Sequence, residues 1–263
     1  MERRKIKVVK LGGSVITVKD AYRSLRVDVV RELIGELSSF YRDYGERYGL
    51  VVIHGGGSFG HPVVKECISR YGAIYRDCYT ATADSMDTLN YVIRKYAVVS
   101  GLPAVSLPPR SFCFLHSGRL TCFTKTLSDL LSKELVPLTY GDVVSSDRGF
   151  EVLSGDTLAW YIASKLDVDE ILFVTDVDGL YNSDPKVNPS ARKIVRAHVD
   201  EVLGFLSQSS SNVDTTGGMK RKIYEGKALG VKNIKVKILS GFIKGDLYRA
   251  LTSNNFAGSV VWY

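Results

Sequence analysis

Short apolar runs alternate along the chain with stretches in which apolar residues recur every three or four positions. The first pattern is typical of buried strands, and the second is typical of amphipathic helices. Their alternation predicts an α/β fold with a mostly parallel central sheet. The predicted strands are Ile6–Leu11, Leu50–Ile53, Ala104–Leu107, Val136–Tyr140, Ile171–Thr175 and Ile234–Leu239.

Helices and one hairpin are predicted between these strands. Apolar residues at helical spacing predict one helix over 27–41 and another over Asp84–Val99. A third helix is predicted to open at Asp156. The segment Gly141–Glu151 is predicted to be a hairpin, because the turn-forming residues Ser146–Gly149 separate two valine-rich flanks.

Charge and composition narrow the function classes. The 263-residue chain carries a formal net charge of +7, which suits a site that gathers phosphate groups and would also suit nucleic acid. The basic residues are scattered, so nucleic acid is not expected as a partner. No apolar run reaches the ~18 residues of a membrane span, and the first residues lead directly into a predicted strand. We therefore expect a cytoplasmic protein without a signal peptide or membrane partner.

Four cysteines, Cys67, Cys78, Cys113 and Cys122, show no Cys-x-x-Cys spacing. This spacing predicts neither a metal site nor a disulfide framework. We expect four reduced thiols in or near the core.

Three glycine-rich turns are the strongest chemical signal. Two follow predicted strands directly and the third opens a predicted helix, so each could point backbone N–H groups at an anion. They are Lys10-Leu11-Gly12-Gly13-Ser14, His54 to His61, and Asp214-Thr215-Thr216-Gly217-Gly218-Met219. A single Gly-Gly is more often an ordinary tight turn, but three such turns with lysines nearby favour a phosphate-binding enzyme.

The second turn also contains Gly55-x-Gly57-x-x-Gly60, which matches a dinucleotide-binding fingerprint. That interpretation needs an acidic residue at the end of the next strand. Asp77 and Asp84 lie at a suitable distance along the chain, but neither follows a predicted strand. A nicotinamide or flavin enzyme is therefore less favoured than other phosphate-binding enzymes, and it stays as an alternative.

The order of the motifs resembles the amino acid kinase family. The motifs are Lys10–Ser14, His54–His61, Ser154-Gly155-Asp156, Thr175–Tyr181 and Thr216–Met219. The resemblance implies a three-layer αβα sandwich, formed as one continuous fold. It also implies an N-terminal lobe, residues 1–165, that binds the acceptor and a C-terminal lobe, residues 166–263, that binds ATP.

Within the family, Gly13–Thr17 followed by Lys19, and the histidine that ends Gly57–His61, are similar to the isopentenyl phosphate kinases. The resemblance implies transfer of the γ-phosphoryl group of ATP to isopentenyl phosphate, to give isopentenyl diphosphate for isoprenoid synthesis. Fosfomycin kinases are similar at this histidine, so another small phosphate or phosphonate acceptor stays open. A nucleotide-binding protein without catalysis is the third alternative.

The resemblance also assigns roles to individual residues. The implied catalytic residues are Lys10, Lys19, His61 and Asp156. The implied ATP-binding residues are Lys10, Gly12, Gly13, Ser14, Gly57, Thr175, Asp176, Gly217, Gly218 and Lys222. The implied acceptor-binding residues are Gly56, Gly57, His61, Gly155 and Asp156. ATP and Mg²⁺ are the implied cofactors and a homodimer the implied assembly, although no carboxylate cluster marks a metal site.

Each of these residues also has an ordinary structural interpretation. A lysine is often a solvated surface residue, His61 could cap a helix, and Asp156 could be a helix N-cap. Asp178 could serve only its turn. His54, His116 and His198 are interpreted as structural, whereas Asp176 would need a reason to be buried at a strand end.

An isopentenyl chain has no polar group beyond its phosphate, so its pocket must be apolar and of limited depth. The helices after His61 are expected to supply the wall. The candidate wall residues are Val64, Ile68, Tyr71, Tyr79, Met86 and Leu89. The alternative is that these residues form ordinary core.

Overall fold

The computed structural model describes residues 4–183, 188–208 and 222–263. Its helices are α1 (Gly13–Ile16), α2 (Val27–Tyr44), α3 (Gly57–Tyr71), α4 (Arg76–Val99), α5 (Lys125–Ser132), α6 (Gly155–Lys165), α7 (Val199–Gln208), α8 (residues 222–228) and α9 (Asp246–Thr252). Its strands are β1 (Lys5–Leu11), β2 (Tyr48–His54), β3 (Ala104–Ser106), β4 (Cys113–His116), β5 (Arg119–Cys122), β6 (Val136–Tyr140), β7 (Asp142–Ser146), β8 (Gly149–Leu153), β9 (Val168–Thr175), β10 (Leu180–Tyr181), β11 (Lys193–Ile194), β12 (Arg196–His198), β13 (Lys235–Ser240) and β14 (Gly258–Trp262).

An eight-stranded sheet with the order β12-β14-β13-β9-β1-β2-β6-β3 forms the centre of the fold. Neighbouring strands from β13 to β3 are parallel, whereas β14 runs antiparallel to β13. Parallel strands with both faces covered need continuous apolar sequence. In β1 and β2 six of the seven residues are buried, and the predicted mostly parallel sheet is confirmed.

Two hydrophobic clusters cover the two faces of this sheet. Helices α2, α4 and α9 pack on one face, around residues such as Leu37, Leu89 and Leu247. Helices α5, α6 and α7 pack on the other face, around residues such as Leu127 and Trp160. Val8 and Val9 of β1 belong to opposite clusters, as expected for neighbouring residues in a strand. The fold is the predicted three-layer αβα sandwich.

All six predicted strands are present, but the sequence analysis did not predict β4, β5, β10, β11, β12 and β14. Strand β14 is a five-residue run near the chain end, and β4 and β5 form a hairpin that pairs with β7 in a separate four-stranded sheet. Strands β4 and β5 have four residues each and are partly exposed, so they lack the apolar continuity that identified the others. Four of the five residues of β14 are buried, but the strand begins with Gly258 and Ser259, so its apolar run is only three residues long.

Helix α4 begins at Arg76, eight residues before the predicted start at Asp84. Its buried face continues toward the N-terminus through Cys78 and Thr82, which are less apolar than leucine or valine. Apolar periodicity therefore underestimated the length of the helix. As a result, α3 and α4 form a helical pair that borders the candidate site.

The prediction of four reduced thiols is wrong. Cys67 of α3 is bonded to Cys78 of α4, and Cys113 of β4 is bonded to Cys122 of β5. The second pair consists of directly opposed residues in the hairpin register. Neither pairing was visible in the sequence, because the facing positions arise only when the helices and strands pack.

The predicted boundary between the two lobes falls in the connection between α6 and β9. Strand β9 then pairs with β1 in the same sheet, so the division into an acceptor lobe and an ATP lobe stays a prediction. Across the described ranges, no helix combines the length and the apolar character needed to cross a bilayer.

Candidate active site

A cavity of about 830 Å³ lies at the carboxyl ends of strands β1, β2 and β9. Loops that leave parallel strands at this edge of a sheet are the usual location for ligand sites in α/β folds. The cavity brings together the described candidates Lys10, Gly12, Gly13, Ser14, Lys19, Gly56, Gly57, His61, Gly155, Asp156, Thr175, Asp176 and Lys222. Gly217 and Gly218 of the third glycine-rich turn lie outside the described residues.

The first two glycine-rich turns pack directly against each other. A Cβ atom on Gly13 would come within 2.5 Å of the Gly57 nitrogen, and one on Gly55 within 2.6 Å of the Gly13 nitrogen. Gly57 has φ +46°, and a Cβ there would lie 2.0 Å from Thr17 Oγ1. These glycines are therefore required for contact between the turns as well as for access of a ligand to the backbone.

Thr17 holds the two turns in place. Its hydroxyl donates to the Gly13 carbonyl at 2.8 Å and accepts from the Ser58 backbone N–H at 3.0 Å. Thr17 is fully buried. The sequence analysis did not identify it as a site residue, and the only signal was its position within the first motif.

The centre of the cavity is a carboxylate shared by two lysines. Lys10 Nζ at the end of β1 lies 2.8 Å from Asp156 Oδ1, and Lys222 Nζ at the start of α8 lies 2.8 Å from Asp156 Oδ2. Asp156 is in the first turn of α6, but Ser154 is the N-cap, with its hydroxyl accepting from the Thr157 N–H at 3.0 Å. The capping interpretation of Asp156 is therefore wrong.

The pKa values describe a strongly coupled group of charges. Burial alone would raise the pKa of Asp156, but the ammonium groups of Lys10 and Lys222 outweigh it and lower the pKa to about 2. Burial lowers the pKa of Lys10, and Asp156 opposes that shift. One carboxylate between two ammonium groups leaves excess positive charge facing the cavity, which favours a phosphate ligand.

His61 lies one turn inside α3, so it does not cap that helix. His61 is an exposed residue that lines the cavity, yet the surrounding walls remove enough water to lower the pKa of the imidazole, and the charge of Lys10 lowers it further. The imidazole is therefore neutral at pH 7 and can donate one ring N–H. The N-terminus of α3, at Gly57, faces the same cavity and adds partial positive charge.

A buried chain of hydrogen bonds supports the second glycine-rich turn from behind. The fully buried His54 contacts the Gly55 carbonyl through Nδ1 at 3.1 Å and the Asn90 side chain through Nε2 at 3.2 Å. Asn90 in turn accepts from the Ser106 hydroxyl. Burial lowers the pKa of His54 to about 4, so the ring is neutral. The structural interpretation of His54 is confirmed.

Lys19 and Ser14 are exposed residues on the wall of the cavity. Within the described part of the chain, Lys19 forms no ion pair. Its ammonium group is therefore available to a ligand. Lys19 lies at the site, and its catalytic role stays a prediction.

Thr175 ends β9, and its hydroxyl donates to the Val177 carbonyl at 2.9 Å. Asp176 follows the strand and is exposed, so the expected burial of its carboxylate is wrong. Asp178 accepts from the Tyr181 hydroxyl at 3.0 Å and pairs with Lys193 at 3.1 Å. Its interpretation as a residue that serves the turn is confirmed.

The predicted tail wall is confirmed only in part. Val64 and Met86 line the cavity, whereas Ile68 and Tyr71 are about half exposed at 48% and 50% and lie outside it. Leu89 is fully buried core. Tyr79 does not line the cavity, and its ring lies 4.4 Å from that of Phe150 at an interplanar angle of 33°.

The β7–β8 hairpin supplies the opposite wall, which the sequence analysis missed. Val143, Val152 and Leu153 line the cavity there, together with the buried carboxylate of Asp142. Asp142 pairs with Arg110 at 2.8 Å. The valine-rich flanks identified the hairpin, but only the packing shows which of its residues face the site.

The dinucleotide alternative is wrong. After α3 the chain enters α4 rather than a strand, so no acidic residue closes a βαβ unit. Asp77 and Asp84 both lie on α4 with side chains that are 90% and 73% exposed.

Residues 5–240 match the model of the amino acid kinase family. The chain belongs to this family. An isopentenyl phosphate kinase of Methanothermobacter thermautotrophicus is 32% identical, over 96% of this chain and 97% of that protein. One of Methanocaldococcus jannaschii is 31% identical, over 93% of this chain and 94% of that protein.

Solved structures give the same result. A structure of an isopentenyl phosphate kinase superposes with a TM-score of 0.81 at 29% identity, covering 97% of this chain and 99% of that one. A UMP kinase from Ureaplasma parvum superposes with a TM-score of 0.67 at 16% identity, over 99% of this chain and 100% of that one. The second likeness shows a shared fold alone.

Proposed function

We propose that this protein is an ATP-dependent kinase that phosphorylates isopentenyl phosphate to give isopentenyl diphosphate. The observation that carries the proposal is a single cavity that contains both the Lys10–Asp156–Lys222 centre and His61. The relatives of similar length support the choice of acceptor. A non-catalytic role is disfavoured, because every described candidate residue faces the cavity.

In the proposed reaction an anionic oxygen of the acceptor phosphate attacks the γ-phosphorus of ATP. The new P–O bond forms as the bond from the γ-phosphorus to the β–γ bridging oxygen breaks, and ADP leaves. A phosphate monoester has its second pKa at ~6, so this oxygen is already ionised at neutral pH and needs no general base. The protein supplies position and positive charge.

The residues divide between the two substrates in this proposal. Lys10 and Lys222 contact the transferring phosphates of ATP, and Asp156 holds both ammonium groups in place. Lys19 stabilises the transferred group. The turn at Gly12 to Ser14 and the residues Thr175 and Asp176 contact ATP, together with Gly217 and Gly218 of the third glycine-rich turn.

His61 and the N–H groups of Gly56 and Gly57 hold the acceptor phosphate, next to Gly155 and Asp156. The apolar tail then lies between α3, α4 and the β7–β8 hairpin, against Val64, Met86 and Val143. A neutral imidazole donor suits this role, because it binds the acceptor anion without adding a second cation beside Lys10.

Mg²⁺ is the proposed metal cofactor. Among the described residues no group of three or more His, Cys, Asp or Glu side chains could hold it, and Asp156 is already paired with two lysines. We propose that the ATP phosphates and water hold the ion, which supplies charge neutralisation when bound.

We also propose a homodimer in the cytoplasm. The two disulfides bear on this location, because disulfides are rare in cytoplasmic proteins except in those of hyperthermophiles.

An ADP-release assay with a panel of acceptors tests the function. Isopentenyl phosphate, UMP, acetylglutamate, carbamate and fosfomycin should be compared at equal concentration with saturating MgATP. Isopentenyl phosphate is expected to give the highest kcat/KM. A higher value with fosfomycin would move the acceptor to the phosphonate alternative, and no turnover with any acceptor would support the non-catalytic one.

A further inference from the structure

A second cavity, of about 240 Å³, opens at the opposite edge of the main sheet, near the amino ends of β1, β9 and β13. We call it the basic cavity. Its charged lining consists of Lys7, Arg47, Lys235 and Lys237 together with Asp169 and Glu170. The rest of the lining comes from the connection between α2 and β2 and from the end of α9, and includes Tyr44, Tyr48, Thr252, Ser253 and Asn254.

The positive charges in the basic cavity exceed the negative ones. Of the two carboxylates, Asp169 is paired at 3.2 Å with Lys5, which lies outside the cavity. The Glu170 carboxylate is therefore shared by three lysines, with oxygen–nitrogen distances of 2.5 Å to Lys7, 3.0 Å to Lys237 and 3.8 Å to Lys235. Within the described ranges, no carboxylate pairs with Arg47.

Part of the excess charge is buried, whereas Arg47 is exposed and Lys235 is half-exposed. The side chains of Lys7 and Lys237 are 4% and 2% exposed, and that of Glu170 is 5% exposed. Two buried ammonium groups against one buried carboxylate leave a charge that the protein itself does not neutralise. Burying such a charge is unfavourable unless a counter-ion pairs with it.

The three N–H donors of Lys237 are all occupied within the protein, two of them by uncharged carbonyls. Lys237 Nζ donates to the Ala250 carbonyl at 2.6 Å and the Ser253 carbonyl at 3.1 Å, as well as to Glu170. These carbonyls solvate the ammonium group but carry no net charge. Burial still lowers the pKa of Lys237 despite the charge of Glu170, as expected for a cation that lacks a full counter-charge.

Lys7 differs, because its ammonium group meets one carboxylate and the face of the Tyr48 ring, 4.6 Å from the centroid. A lysine has three N–H donors. The hydroxyls of Thr252 and Ser253 donate to carbonyls of α9, so the donors that can surround a small anion are the remaining N–H capacity of Lys7, the Asn254 amide and the guanidinium of Arg47.

We propose that the basic cavity binds a small dianion of the phosphate class, at a site separate from the active site. A dianion matches the excess of two positive charges in the lining, and its oxygens match the convergent N–H donors. This proposal goes beyond the kinase activity and does not depend on it.

Calorimetric titration with inorganic phosphate tests the proposal. The active site also has affinity for phosphate, so the titration uses the full-length protein carrying Lys222→Gln, which weakens that site. We expect this protein to bind one phosphate per chain in the basic cavity, and sulfate to compete for it.

Variants of the basic cavity identify the site. Arg47→Gln and Lys235→Gln remove one charge each from exposed or half-exposed positions, so folding is preserved, and each should weaken phosphate binding about three- to tenfold. Glu170→Gln removes the competing carboxylate and should tighten binding by a similar factor. Arg42→Gln is the matched control, because Arg42 is an exposed arginine of α2 outside the cavity.

Kinase activity should be unchanged in Arg47→Gln and Lys235→Gln, since neither residue lies near the active site. The proposal is overturned if the Lys222→Gln protein binds no phosphate. It is also overturned if Arg47→Gln and Lys235→Gln bind phosphate as tightly as the Arg42→Gln control. These outcomes leave the kinase proposal intact, because the acceptor panel tests that independently.

Discussion

Strand β1 carries a buried lysine near each of its ends, and each lysine shares one carboxylate with a second lysine. At the carboxyl end, Lys10 and Lys222 share Asp156. At the amino end, Lys7 and Lys237 share Glu170. Each group has two lysines on one carboxylate, and Lys235 lies 3.8 Å from Glu170 as a third, so positive charge alone does not explain why only the carboxyl-end group lies in the proposed active site.

The surroundings of the two groups differ. The carboxyl-end group has side chains that are 11% to 19% exposed and faces a cavity of about 830 Å³. Two glycine-rich turns and the N-terminus of α3 present backbone N–H groups there. The amino-end group is more deeply buried, and its smaller cavity is lined by side chains and by the end of α9. Backbone donors and open space therefore distinguish the end that we propose as the active site.

Replacing the lysine at each end of β1 gives the largest expected difference. Lys10→Met should lower kcat/KM about 10³-fold, because a preorganised charge at the transferring phosphate is lost. Lys7→Met is the matched control on the same strand and should keep kcat/KM within about threefold. Steady-state kinetics with isopentenyl phosphate measures both. Similar losses in the two variants would contradict the functional distinction between the two ends.

His61 sharpens the comparison, since no described residue that lines the basic cavity is a histidine. His61→Ala should lower kcat/KM for the acceptor about 10²-fold with a nearly unchanged KM for ATP. His61→Asn or His61→Gln should recover part of the activity, because each keeps a hydrogen-bond donor. His116→Ala, at an exposed histidine of β4, is the control. Unchanged kinetics in His61→Ala would remove the acceptor role.

Helix α4 carries one candidate tail-wall residue that lines the cavity and one that belongs to the core. Met86→Ala should raise the rate on a ten-carbon phosphate relative to the rate on a five-carbon phosphate. The short acceptor should lose ~1–3 kcal/mol of transition-state binding, measured through its kcat/KM. Leu89→Ala, one turn further along α4 and fully buried, should instead lower the free energy of unfolding by ~2–5 kcal/mol without changing that ratio. An equal ratio in wild type and Met86→Ala would place the tail elsewhere.

The smallest expected effect is a shift of the acid limb of the pH profile. Burial and Lys10 lower the pKa of His61, so its imidazole gains a proton at a lower pH than an ordinary histidine does. Asp156, with a pKa of about 2, stays ionised throughout. Activity should therefore fall on acidification through the second pKa of the acceptor, ~6.

A methylene-phosphonate analogue of the acceptor has a higher second pKa and should move the acid limb upward by less than about 1.5 pH units. The profile of kcat/KM against pH for the two acceptors gives this measurement. A limb that does not move would indicate an enzyme group, and with it a general base.

The sequence by itself determined which segments form the parallel strands and that two glycine-rich turns follow them. Buried parallel strands must be apolar on both faces, so runs such as Ile6–Leu11 and Ile171–Thr175 identified them directly. Glycine-rich turns placed directly after such strands must lie at their carboxyl ends. The order of the motifs then indicated the family, which supplied the roles that no single residue type reveals.

Only the tertiary structure decided which distant side chains meet. The sharing of Asp156 by Lys10 and Lys222, the two disulfides and the contribution of the β7–β8 hairpin to the cavity wall all depend on packing between elements far apart in the chain. The same is true of Lys7, Glu170 and Lys237, which lie in three different strands. Local periodicity reports only whether a residue faces inward, and a buried charge in a strand gains its partner from the register of its neighbours.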